Sequence, residues 1–259
     1  MNGSVDISAQ RFIPGATSQS TTRAIPVEAP IAIEYNGIGY AVMMATPTDL
    51  GDFAIGFSLS ERIVGSAEEV EGAEAVETEL GWLLKIDIAR SRVAPMIERV
   101  RVRVSESGCG LCGLENLEQV ARPLPVLKSG APIADTSIFR AIARLSALQP
   151  LNATTGGAHA AAFCDPDGAI LKVREDVGRH CALDKLIGAL ALDGSSPANG
   201  FFLLSSRCSY ELVEKTVIAG CPSLVTISTA TSLAVERARA SGLQLVALAR
   251  PDSALSLAR

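Results

Sequence analysis

Apolar and polar positions alternate over residues 31–44, and the alternation is interrupted only by Asn36-Gly37. That dipeptide suits a two-residue hairpin turn, so two antiparallel strands are expected there. The period then changes. Pro47 and Asp49 precede Phe53, Ile55, Phe57, Leu59 and Ile63, a run that reads as a helix. A second extended pair is expected at 73–79 and 82–88, and a further strand at 100–104. Leu114, Leu117 and Val120 recur at helical spacing, as do Ile138, Ile142, Leu145 and Leu148 before Pro150, with residues 123–136 as a connector.

The second half alternates strand and helix. Asp165-Pro166-Asp167-Gly168 is a turn joining an apolar strand to Ile170-Leu171-Lys172-Val173. The helix after Asp176 carries Leu183, Leu186, Ile187 and Leu190, and residues 201–204 form a short, wholly apolar strand. A helix at 209–219 closes at Gly220, a strand spans 224–227, a helix at 232–240 stops at Gly242, and 243–249 is the final strand. Such alternation needs crossovers, which place helices on the faces of a parallel or mixed sheet. There is no internal repeat.

At 259 residues the chain can fold as one large or two smaller domains without disulfide support. Its 48% hydrophobic and 20% charged residues are ordinary for a globular protein. It has no uninterrupted apolar run of about 18 residues, so no membrane association is expected. Residues 1–23 are polar and rich in Ser and Thr, unlike a secretory leader, and predict a disordered tail on a cytoplasmic protein. The net charge of −5 opposes a general nucleic-acid binder, which needs a basic face. The expected division is a tail at 1–25, a β-rich α+β region at 26–106, a cysteine loop with its helix at 107–122, and an α/β domain at 123–259.

Six cysteines are present, and Cys164, Cys181, Cys208 and Cys221 lie in apolar or helical segments as small core residues. Cys109 and Cys112 differ. In Ser107-Gly108-Cys109-Gly110-Leu111-Cys112-Gly113 two thiols stand among glycines before a helical segment, whose N-terminal amides would favour a thiolate. A zinc half-site, the first alternative, lacks a second Cys pair, and His159 and His180 do not complete a deaminase-type signature. A thioredoxin-like pair would follow an early strand rather than lie at mid-chain. Sulfur transfer fits better: one thiolate takes sulfane sulfur as a persulfide and its neighbour attacks the inner sulfur to release the terminal one.

Polar residues also collect where strands turn into helices, at 154–159, 174–180, 205–207 and 229–232. Each resembles a capped helix start, and four in succession suggest phosphate binding. His180 reads equally as a core group or a catalyst. Asp184 and Lys185 read as a solvated or intrahelical charge pair.

Taken together, Tyr35-Asn-Gly-Ile38, residues 54–61, Gly108-Cys-Gly-Leu-Cys-Gly113, residues 156–162, Glu175-Asp-Val-Gly-Arg-His180, Ala182-Leu-Asp-Lys185 and Ser205-Ser-Arg207 before Ser209-Tyr-Glu211 resemble the formate dehydrogenase accessory sulfurtransferase family, FdhD. The resemblance runs in order from about Pro26 onward. It implies a homodimer with a cytidine-deaminase-like α/β fold, a mixed sheet with helices on its faces. It also implies a sulfurtransferase that receives persulfide sulfur from a cysteine desulfurase, on Cys109 with Cys112 assisting. The sulfur then passes to the Mo-bis(molybdopterin guanine dinucleotide) cofactor of formate dehydrogenase, with no metal bound directly by the protein. The implied cofactor-binding residues are Leu248, Ala249, Arg250, Pro251, Asp252 and Ser253, with Arg207 and His159. Leu248 stands where family members usually have an aromatic residue. A non-catalytic cofactor chaperone and a zinc-binding module are the competing readings.

Overall fold

A computed structural model describes residues 3–105, 122–127 and 132–258. The Asn36-Gly37 hairpin is present. Strands β3 (Ala29–Tyr35) and β4 (Ile38–Ala45) are joined by two residues of positive φ, 49° and 81°, the conformation a type I′ turn requires. The Asn36 side chain also accepts from the Ile88 amide at 3.1 Å, tying the turn to the end of β6 (Gly81–Ile88). With β5 (Val70–Thr78) these strands form a sheet ordered β4-β3-β6-β5. Helix α1 (Leu50–Ser60) lies against it, burying Phe53 and Phe57 among Ile31, Ile33, Tyr35, Leu84 and Ile86.

Residues 1–25, expected as a disordered tail, depart from that reading. Residues 4–26 form an antiparallel ribbon of β1 (Ser4–Arg11) and β2 (Gln19–Pro26), pairing Val5 with Ile25 and Ile7 with Arg23. An isolated two-stranded ribbon is marginal in water. This one is moored by the Arg23 guanidinium donating to the Thr155 carbonyl at 2.9 Å, and the Val27 amide donating to Gly3 O at 2.8 Å extends the ladder by one rung. A second correction concerns 100–104. Val93, Met96 and Ile97 pack on the N-terminal core in helical phase, and helix α2 runs from Arg90 to Ser105 through the span expected as a strand. Once a helix is nucleated, each added residue gains a bond, and a five-residue alternation is too short to interrupt it.

The second sheet is ordered β12-β11-β10-β9-β7-β8. Its strands are β7 (His159–Cys164), β8 (Ile170–Asp176), β9 (Phe201–Leu204), β10 (Ser223–Thr226), β11 (Gln244–Arg250) and β12 (Ser253–Ala258). Strands β9, β10 and β11 are parallel, and β7 runs against both β8 and β9, so the sheet is mixed as expected. The strand at 243–249 was expected to be the last, but the chain turns at Pro251-Asp252 and returns as β12. The remaining α-helices among the described residues are α3 (Asp135–Leu145), α4 (Pro150–Thr155), α5 (Arg179–Leu192), α6 (Tyr210–Ile218) and α7 (Ser232–Ser241). No helix among the described residues is long and apolar enough to cross a membrane.

Helix α5 is wedged between the six-stranded sheet and α1. At Gly56 a Cβ would stand 1.7 Å from the Asp184 carbonyl oxygen, and at Gly188 one would stand 1.8 Å from that of Asp52, so the two backbones meet where only glycine fits. This contact buries Asp184 and Lys185 completely, which overturns the expected pair between them. Neighbours in sequence point to different sides of a helix. Lys185 Nζ instead reaches Asp176 Oδ2 at 2.7 Å and the Thr46 carbonyl at 2.8 Å, while Asp184 meets Lys215 Nζ at 2.9 Å and Ser60 Oγ at 2.6 Å. Both links tie α5 to other elements.

Candidate functional site

The strand directions bring several loops to one edge of the second sheet. The C-terminal ends of β8, β9, β10 and β11 and the N-terminal end of β7 all lie there, and α5, α6 and α7 each begin there. The loops are stitched together through the backbone. Ala160 N donates to Ser205 Oγ at 2.8 Å, Cys208 N to Thr229 O at 3.0 Å, and Leu248 N to Ser228 O at 3.1 Å. His159, Arg207 and the 248–253 segment, all singled out from sequence, therefore share this edge. Leu248 has φ of 51°, uncommon for a branched side chain and a local redirection of β11 toward its exposed turn. Arg207, Arg250, Pro251, Asp252 and Ser253 are exposed, Leu248 is half-buried and Ala249 is buried.

Three helix N-termini directed at one edge create a positive field. Cations add to it. The Nε of Arg179, at the first position of α5, is buried without a hydrogen-bond partner among the described residues. Burial, and then repulsion from Arg179, lower the pKa of His159, with Asp176 opposing. Burial and Arg179 also lower that of His180, against the pull of Glu211. His180 Nε2 lies 3.3 Å from Ser209 Oγ and 3.7 Å from Glu211 Oε2, which makes it a polar group linking the starts of α5 and α6. Burial opposes the charge of Glu211, but the Ser209 hydroxyl, its own amide and His180 outweigh it and lower its pKa. The edge thus gathers three helix N-termini, a buried guanidinium and two imidazoles in one place.

The cluster at 174–180 divides in two. Arg174 binds Asp52 at 2.6 Å, Glu175 accepts from the Leu151 and Asn152 amides at 2.9 Å each, and Asp176 accepts from Thr46 N at 3.0 Å and Gly178 N at 2.7 Å. These three are committed to structure. Arg179 is not, and sequence reasoning did not single it out; a cation in the first turn of a helix, against the dipole, was the available signal.

Among the described residues no group of three or more His, Cys, Asp or Glu is placed to hold a metal ion. The cysteines read as core are core: Cys164, Cys181, Cys208 and Cys221 are at most 2% exposed. Burial pushes the thiols of Cys181, Cys208 and Cys221 up to about 12 and raises that of Cys164 as well, leaving all four unreactive at neutral pH. Cys109, Cys112 and the helix expected after them lie outside the described residues.

Comparison with known proteins accords with this architecture. A crystal structure from Desulfotalea psychrophila, described as that of a formate dehydrogenase accessory protein, superposes with a TM-score of 0.75 over 99% of this chain and 97% of the other, at 23% identity, and so shares the fold. The sulfur carrier protein FdhD of Variovorax paradoxus is 43% identical over 250 residues, covering 96% of this chain and 90% of the relative. That of Xanthomonas euvesicatoria is 47% identical over 237 residues, covering 91% and 84%. The pattern of the FdhD/NarQ family matches residues 26–256, and with identity at this level over nearly the whole fold, the chain belongs to that family.

Proposed function

We propose that this chain is a cytoplasmic sulfurtransferase serving formate dehydrogenase, with Cys109 as sulfur acceptor and Cys112 as its assistant. The observation that carries the reading is one of elimination. The relatives are sulfur carriers, and four of the six cysteines are sealed in the core with raised pKa values, so the thiol chemistry falls to Cys109 and Cys112. The Cys109 thiolate attacks the terminal sulfur of a cysteine desulfurase persulfide, the desulfurase thiolate leaves, and Cys109 holds the sulfur as its own persulfide. Attack by Cys112 on the inner sulfur then releases sulfide and leaves a Cys109–Cys112 disulfide, which an external thiol reductant resets.

The acceptor in this reading is the Mo-bis(molybdopterin guanine dinucleotide) cofactor, bound as substrate. The cationic edge supports it. Diphosphate groups suit the starts of α5, α6 and α7, with Arg207, Arg250 and His159 beside them, and the 248–253 turn closes one side. Pairing of two copies as a homodimer belongs to the same reading. Peptide mass spectrometry after incubation with a cysteine desulfurase and cysteine tests it: one added sulfur atom is expected on Cys109, abolished by Cys109→Ala. Loading confined to any buried cysteine, or none on the parent protein, overturns it.

A further inference from the structure

On the helical face of the molecule, away from the groups used above, a cavity of about 340 Å³ opens between the end of α1, the middle of α5 and the end of α6. Its walls are mostly apolar, supplied by Leu59, Val64, Ile187, Ala191, Ile218 and Ala219, and Arg62 is the charged residue on its lining. We propose that this cavity binds a small amphipathic anion, an apolar chain or ring carrying a carboxylate, with Arg62 receiving the head group. The proposal stands apart from the sulfur-transfer reading.

Charge complementarity identifies the occupant. Arg62 makes no hydrogen bond or ion pair through its guanidinium among the described residues. Burial lowers its pKa, Glu214 pulls it up, and Arg122, Arg99 and Arg237 are near enough to lower it again. The nearby carboxylates are already committed. Glu214 is held by Arg237 at 2.8 Å, and Glu61 by Lys215 at 3.1 Å. Arg99 satisfies itself on the Glu61 carbonyl at 2.7 Å and Arg237 on that of Arg122 at 3.0 Å. Arg62 is thus a half-buried cation that shares the field of Glu214 with Arg237 and makes no ion pair of its own among the described residues. Its backbone points the same way. Arg62 has φ of 56° just past the end of α1, where glycine or asparagine is usual, so a long cationic side chain on the cavity lining is carried by a backbone conformation it does not favour. Apolar walls with one placed charge are the composition of a small-ligand site, and the volume lies at the lower end of the range for such sites.

Octanoate is the probe, with octanol as a neutral ligand of the same chain length, titrated against the full chain by ligand-observed NMR and calorimetry. Saturable binding of octanoate at one site per chain is expected, with octanol weaker by about tenfold or more. Arg62→Gln should weaken octanoate by a similar factor while leaving octanol unchanged, and Arg62→Lys should keep most of the affinity. Ala191→Phe should abolish both by filling the cavity. Thermal unfolding identical to the parent confirms that Arg62→Gln is folded. Non-saturable binding of octanoate, or equal binding of both ligands that Arg62→Gln does not change, overturns the proposal.

Discussion

Replacing Lys215 by Met isolates the effect of one charge on the joint between the two sheets. Lys215 Nζ is bound to Asp184 at 2.9 and 3.0 Å, to Ser60 at 2.8 Å and to Glu61 at 3.1 Å. Burial works against its charge, but Asp184 and Glu61 outweigh this and hold its pKa above the ordinary lysine value. Without Lys215 the Asp184 carboxylate, fully buried, keeps only the Ser60 hydroxyl at 2.6 Å among the described residues. Removing one member of a buried pair costs about 3–5 kcal/mol. At roughly 2–4 °C per kcal/mol for a chain of this size, the melting temperature should fall by roughly 6–20 °C. Replacing both partners, in Asp184→Leu with Lys215→Met, removes the stranded charge, so the double variant should recover at least about 2 kcal/mol relative to the sum of the single losses. The deficit also depends on pH. Burial already raises the Asp184 pKa above 3.8, and loss of Lys215 raises it further. The folded state then binds a proton more readily than the unfolded state, so the Lys215→Met deficit should be largest at pH 7.5 and narrow as pH falls toward 5. Urea denaturation followed by the single Trp82 and by circular dichroism measures these values. A single-variant cost below about 1 kcal/mol, or strict additivity of the two losses, would refute the reasoning.

Gly56→Ala should destabilise by at least about 2 kcal/mol in the same urea assay, because its Cβ would meet the Asp184 carbonyl at 1.7 Å; a neutral result would mean that α1 and α5 are not in contact there. Calorimetry should show guanosine diphosphate binding weakened about tenfold by Arg250→Ala and by Arg179→Ala, and unchanged affinity removes that residue from the anion edge. His159 carries a pKa below 6.5, so the stability tied to its neutral form is present above 6.5 and lost as pH falls through its folded value. A phosphate beside Arg179 should raise that pKa. NMR titration of the two imidazoles, assigned through His180→Gln, should show the rise on adding guanosine diphosphate, and a constant or lowered value counts against the shared edge.

Much of the second half was legible because period and length agree there. The apolar run at 201–204 and the glycines after α6 and α7 mark their elements from sequence alone. The β1–β2 ribbon was not, since its strands bury little of their own surface and lean on α4. Asp184 and Lys185 misled for a related reason. From Cys181 to Leu190 every residue of α5 is buried, so its polar positions do not mark a solvent face. What reveals their burial is Gly188 meeting Gly56 across the helices, a long-range contact that a single helix pattern does not encode. For the candidate site, the rule that ligands gather at strand-to-helix turns drew attention to Arg207 and His159, the family resemblance drew attention to the 248–253 segment, and the fold sets them on one edge. It did not separate Arg174, Glu175 and Asp176, which hold the fold, from Arg179, because that distinction depends on which partners the rest of the chain supplies.

Those partners also explain why the edge depends on the N-terminal sheet. The Asp176 carboxylate, at the end of β8, takes one hydrogen bond from Gly178, just before α5, and another from Thr46, just after β4, while the Thr46 hydroxyl accepts from Val177 N at 3.2 Å. Thus the backbone amide of one residue in the N-terminal half holds Asp176 and its hydroxyl holds Val177, while Asp176 holds Gly178, the residue before Arg179. Lys185 completes the arrangement from less than two turns further along α5, binding Asp176 and the Thr46 carbonyl together. Thr46, Asp176 and Lys185 are fully buried. They set the position from which α5 starts, and with it the direction of its amides and of the Arg179 side chain. A boundary drawn between an N-terminal region and an α/β domain therefore separates two parts that share one polar joint, and the geometry of the candidate edge depends on both.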